Sequence, residues 1–161
     1  MILPDIIKQV ENSPDYVIWT ANKGKNPICD LTRVAGFIIH EDYEHITFFL
    51  PRGLFRNLES NLSKGSNINI LFASIKDFQS YQIKGNYESH CDGNEENFNF
   101  YKGKVRNVID IMTSMGLNGQ LIMGYLLEQP SVAVTMYCRE VYVQTPKPGT
   151  GYKINDENHV Q

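Results

Sequence analysis

The residues able to do chemistry are thinly spread along this chain. Four histidines, His40, His45, His90 and His159, show no H-x-x-x-H or comparable ligand spacing. They read as solvated or core imidazoles, and no metal is expected. Three cysteines, Cys29, Cys91 and Cys138, are odd in number and form no C-x-x-C pair, so they read as buried thiols in a reducing compartment. His90 and Cys91 are neighbours, but adjacent strand residues point to opposite faces, which rules against a nucleophile with its base. The arginines have more to offer. Arg33 sits in the polar gap of a strand, and Arg52, Arg56 and Asn57 share the polar face of a short helix. Solvation or an ion pair is the ordinary role of such groups. No acid, base or nucleophile stands out, so no catalytic residue is named.

The elements that must position these groups follow from periodicity and punctuation. Ile6, Ile7 and Val10 give a short first helix an apolar stripe, and Asn12-Ser13-Pro14-Asp15 ends it. Such a helix is expected to cap a barrel mouth. Tyr16 to Thr20 is a strand by composition, with a turn at Asn22 to Pro27. Ile28 to His40 is a long strand interrupted at Gly36, where a bulge or close backbone approach is expected. His45 to Leu50 is a buried strand stopped by Pro51, and Leu54, Phe55, Leu58 and Leu62 recur at helical spacing.

Asn67 to Ala73 and Ser80 to His90 are two more strands, followed by Asp92-Gly93-Asn94 as a turn. Val105, Val108, Ile109, Met112 and Met115 mark one face of a longer helix that stops at Gly116, with Lys102, Lys104 and Arg106 mainly off that face. A short helical piece with Leu121, Ile122, Tyr125 and Leu126 leads to a last strand, Val132 to Val143. The phase change at Arg139-Glu140 predicts a bulge there. About six short strands with helical crossovers predict an α+β barrel with flanking helices over a parallel sheet. Residues 1–152 are expected to form one domain and residues 153–161 a flexible tail.

Length and composition agree. A chain of 161 residues fits one domain, and 42% hydrophobic with 20% charged residues is ordinary globular composition. A net charge of −3 offers no field suited to a phosphate backbone, so nucleic acid is not expected as a partner. The chain begins without a basic and then apolar leader, and no run reaches the roughly 18 apolar residues of a span. A cytoplasmic protein without membrane association is expected.

One family resemblance runs through these elements. Trp19-Thr20-Ala21 with Gly24 and Pro27, the strand ending Phe48-Phe49-Leu50-Pro51, and Arg56-Asn57-Leu58 with Asn61 are similar to motifs of one family. Ile83-Lys84-Gly85 sits where that family's strand ends in glycine, and Val141 to Pro146 resembles its closing strand. In this order they resemble the pyridoxamine 5'-phosphate oxidase-like, FMN-binding split barrels.

The resemblance implies a mostly antiparallel split β-barrel of about six strands, a homodimer with FMN at the subunit interface, and a flavoprotein oxidoreductase of unknown substrate. Carried over by position, Arg33, Val34, Ala35 and Gly36 would line the phosphate and ring edge, and Phe49 and Leu50 the ribityl chain and ring. Arg56 and Asn57 would complete the phosphate site, and Gln82 and Lys84 would reach the ring's polar edge. Guanidinium forks suit a phosphate. Leu54 stands where the family commonly has a basic residue, and Arg52 would substitute for it. The chain lacks the arginine-rich, Trp-containing ending of true pyridoxamine phosphate oxidases, which argues against that reaction. The alternative implied by the same superfamily is a non-catalytic flavin- or haem-binding protein, and a histidine near the cleft would favour haem.

Overall fold

The break placed at Gly36 falls one residue earlier, at Ala35, and it organises the molecule. A computed structural model describes residues 2–13, 15–23, 29–120 and 130–154. Three helices and seven strands run in the order α1 (Asp5–Asn12), β1 (Tyr16–Lys23), β2 (Cys29–Val34), β3 (Gly36–Ile39), β4 (His45–Pro51), α2 (Arg52–Glu59), β5 (Asn67–Ser74), β6 (Ser80–Asp92), α3 (Glu95–Ser114) and β7 (Pro130–Val143). All pairings are antiparallel, in the order β2-β1-β5-β6-β7-β4-β3. The long strand of the sequence is therefore two strands at opposite ends of that order, joined through Ala35, whose N–H donates to the Phe49 carbonyl at 2.8 Å. This adds the seventh strand to the expected six and curls the sheet into a split barrel.

Strict alternation fills the inside. Ile68, Ile70 and Phe72 of β5 and Tyr81 and Ile83 of β6 face inward, as do Ile46, Phe48 and Leu50 of β4 and Val132, Val134 and Met136 of β7. Leu3 and Ile7 and Val10 of α1, with Phe55 and Leu58 of α2, complete this core. Gly85 lies on the same inward row. A Cβ there would stand 2.2 Å from the Tyr137 carbonyl oxygen, so glycine is required by the approach of β7. It does not end the strand, which continues to Asp92.

The predicted bulge is present: Lys84 pairs with Glu140 and Gly85 with Cys138, leaving Arg139 as the extra residue. Asn94 does not turn a hairpin but caps α3. Its side chain accepts from Asn97 N–H at 2.9 Å and its own N–H donates to Asn97 Oδ1 at 3.2 Å, a reciprocal capping box. Gly116, at φ +88°, stops the helix as expected. Beyond β7 the chain returns, with Ile154 N–H donating to Val141 O at 2.8 Å and Lys153 bridging Tyr142. The predicted turn residues Gly24 to Pro27, the helical piece at 121–126, and the tail beyond Ile154 lie outside the described residues.

Candidate functional site

Where β2 gives way to β3, the sheet, α1 and α3 enclose a cavity of about 450 Å³. That is within the range of small-molecule sites, about 300–1,000 Å³. Val17 and Trp19 of β1 form one wall with Arg33 to Gly36, and α1 contributes Val10 and Glu11. The opposite wall is α3, through Tyr101, Lys104, Val105, Val108 and Met112, and Pro51 and Leu54 stand at the β4–α2 junction. Trp19 and Arg33 are direct cross-strand partners and so share a face.

Gly36 lets α3 settle here: a Cβ on it would meet Phe100 Cε1 at 3.3 Å. Beneath the helix, Phe49 packs edge-on against Phe100 at 6.0 Å between ring centroids. Polar groups are few. The Lys104 ammonium donates to the Glu11 carbonyl, and the Glu11 carboxylate accepts from Ile39 N–H at 2.7 Å. Burial pulls the Lys104 pKa below its ordinary value, with Glu11 opposing. Tyr16 also borders the cavity, and its phenol is pushed up to about 12, first by burial and then by Tyr81, Asp77 and Asp15, which lie off the cavity.

Arg33, Val34, Ala35 and Gly36 are thus brought together on one cavity, with Phe49 just behind it. Leu50 is not, because it points into the core on the other face of β4. Arg52 forms an ion pair with Asp92 at the far end of β6. Arg56 and Asn57 lie on the exposed face of α2. Gln82 and Lys84 are two strands away from β1. They share the outer face, in the row Arg33–Trp19–Leu71–Gln82. Gln82 accepts from Gln144 Nε2 at 3.1 Å, and the Lys84 ammonium lies 4.1 Å from the Tyr142 ring centroid.

Sequence reasoning passed over Trp19 and Lys104 as site residues. For Lys104 a signal existed: it follows Tyr101 by three and precedes Val108 by four, which puts it beside the buried stripe of α3.

The other reactive side chains are elsewhere. His90 accepts or donates at Nδ1 to the Tyr87 hydroxyl at 2.6 Å and packs on Phe55 with centroids 4.7 Å apart, away from Cys91 chemistry. His45 is held through Nδ1 by Asp42 at 2.6 Å, and His40 Nε2 lies 2.8 Å from the Thr47 hydroxyl. Only part of the thiol expectation holds. Cys138 is buried, which pushes its thiol up to about 12, whereas Cys29 and Cys91 are exposed at strand ends.

No protein-family model and no curated protein sequence matches the chain. Solved structures do match it in fold. HupZ of Group A Streptococcus is 12% identical, with a TM-score of 0.54 over 95% of this chain and 99% of that one. A histidine-to-alanine variant of that same protein is 11% identical, with a TM-score of 0.50 over 89% and 99%. A Clostridium acetobutylicum protein related to general stress protein 26, of the pyridoxinephosphate oxidase family, is 10% identical at a TM-score of 0.49, covering 93% and 92%. At such identities the likeness is one of fold: the chain has a split-barrel fold that HupZ shares. Among the described residues, no helix is long and apolar enough to cross a membrane.

Proposed function

We propose that the cavity holds a flat aromatic anion, FMN in the first reading, and that the protein works as a homodimeric flavoprotein oxidoreductase. The observation that carries this reading is the meeting of Arg33, Ala35, Gly36 and Trp19 on one largely apolar cavity in a split-barrel fold. The residues present fit such a group. Trp19, Val17 and Val108 supply apolar walls for a ring system, and Arg33 supplies a guanidinium fork for an anionic group. FMN, when bound, supplies hydride or electron transfer. The chain's own part is to bind, orient and keep water from the ring.

No histidine lines the cavity among the described residues, which favours flavin over a histidine-ligated haem. Self-association is supported by the outer sheet face, where Leu31 is 68% exposed. Beside it Trp19, Ala21, Leu71 and Ala73 are only half-buried.

The visible spectrum of the purified protein tests the reading, followed by titration with FMN. A flavin envelope, or uptake of added FMN, is expected. Colourless protein that takes up none removes the flavin, and a Soret band replaces it with haem. In the same assay Arg33→Ala should weaken FMN binding about tenfold or more, a loss of roughly 1.4 kcal/mol. The exposed Arg106→Ala should leave it unchanged.

A further inference from the structure

Lys104 is the second cation of the cavity, and its position is unusual for an ammonium. It projects from α3 among Tyr101, Val105 and Val108, which are buried, and its Nζ lies 5.6 Å from the Phe100 ring centroid. An ammonium has three donors. Here one goes to the Glu11 carbonyl, a neutral acceptor, while the Glu11 carboxylate is engaged by the Ile39 N–H. A half-buried charge in apolar surroundings is costly unless an anion meets it. Burial has already weakened its hold on the proton. An anionic group in the cavity would add a direct ionic partner to the coulombic pull of Glu11 and supply acceptors for the remaining donors.

We propose that Lys104 of α3 holds the anionic group of the cavity's ligand, so that the site selects an apolar or aromatic body carrying a phosphate, sulfonate or carboxylate over the same body without it. This rests on the cavity being a ligand site, as the cofactor reading holds, and adds to Arg33 a second, desolvated anion contact on the cavity, in place of the exposed Arg56. A charge-assisted hydrogen bond in a water-poor cavity is stronger than one made on an open helix face.

Trp19, the one tryptophan of the chain, lines the cavity and reports occupancy directly. Its emission is followed while wild type, Lys104→Met, Lys104→Arg and Arg56→Ala are titrated with two matched pairs. The pairs are FMN against riboflavin, and anilinonaphthalene sulfonate against phenylnaphthylamine. In Lys104→Met the charged member of each pair should bind about tenfold or more weakly, while the neutral member binds as before. Lys104→Arg should restore the preference, and Arg56→Ala should leave it intact. Unchanged affinity for the charged probes in Lys104→Met overturns the proposal, as does a parallel loss of charged and neutral probes or a preference that follows Arg56. If neither flavin binds wild type, the flavin reading fails, and the sulfonate pair alone decides Lys104. If no probe binds, the cavity is not a ligand site and both fall.

Discussion

On the inner face of the sheet, every second residue of β5 and β6 is apolar and closed off by its neighbours, from Ile68 to Phe72 and from Tyr81 to Tyr87. On the outer face the same strands carry Asn69, Leu71, Gln82 and Lys84, half-buried and mixed in character, and the row runs on to Trp19, Arg33 and the cavity under α3. One backbone thus presents two surfaces with different obligations. Inside, a residue answers to volume, and an extra or missing carbon is felt as strain or void. Outside, it answers to what comes to lie against it. The difference puts the close-packed core on one side and the half-buried row with its cavity on the other.

Substitutions that respect or violate this division test it, beginning with the most severe. Gly85→Val places carbon atoms against the β7 backbone, 2.2 Å from the Tyr137 oxygen before any branch is added. It should cost more than about 4 kcal/mol or prevent folding, as read by urea denaturation and soluble yield. A folded variant of near wild-type stability would break the picture of the inner face. Phe48→Ala removes a fully buried ring at the centre of that face and should cost about 3–5 kcal/mol with the fold retained. Leu31→Asp, at an outward site, should change the stability of a single subunit by less than about 0.5 kcal/mol. It should nevertheless abolish self-association in sedimentation experiments. A dimer that survives it would place the subunit contact elsewhere.

The smallest effect concerns Asp42, beside the outer face at the β3–β4 turn. Its carboxyl is held down to about 2, first by the Glu44 N–H and then by the His45 side chain. A lowered pKa stabilises the fold above the ordinary carboxylate value near 3.8, and that contribution is lost as pH falls towards about 2. Asp42→Asn should therefore lower stability slightly at neutral pH and flatten the acid limb of a stability–pH curve. Curves that run parallel between pH about 4 and about 2 would count against it.

Legibility from sequence followed the same division. Inner-face strands were readable because alternation is the direct imprint of a buried face, and so was the Arg139 bulge, where alternation slips by one. The join at Ala35 was not. A single joining residue between two strands looks like a continuous strand until the sheet curls, and nothing local says that β2 and β3 part company. The Arg33 to Gly36 stretch was placed through family resemblance, and the structure adds only that these residues share a cavity. Lys104 was missed because a charged residue at the border of an apolar stripe is usually solvated. Its burial is a tertiary fact, set by where α1 and the sheet lie. Phe49 and Leu50 are adjacent on β4, and the pleat sends their side chains to opposite faces, which a resemblance matched position by position does not convey.

The joining of β2 to β3 also makes these two strands the rims of the sheet. Terminal strands of a sheet ordinarily offer a row of unmet amides and carbonyls on which a foreign strand can grow. Here the β3 margin is guarded by α1, whose Glu11 carboxylate takes the Ile39 amide, and the β2 margin by α2 and the Asn61 side chain, which binds Asp30 at 2.7 Å. Lateral extension into fibrils or swapped ribbons is discouraged at both rims. What the two rims leave open is the outer sheet face, where Leu31 stands exposed.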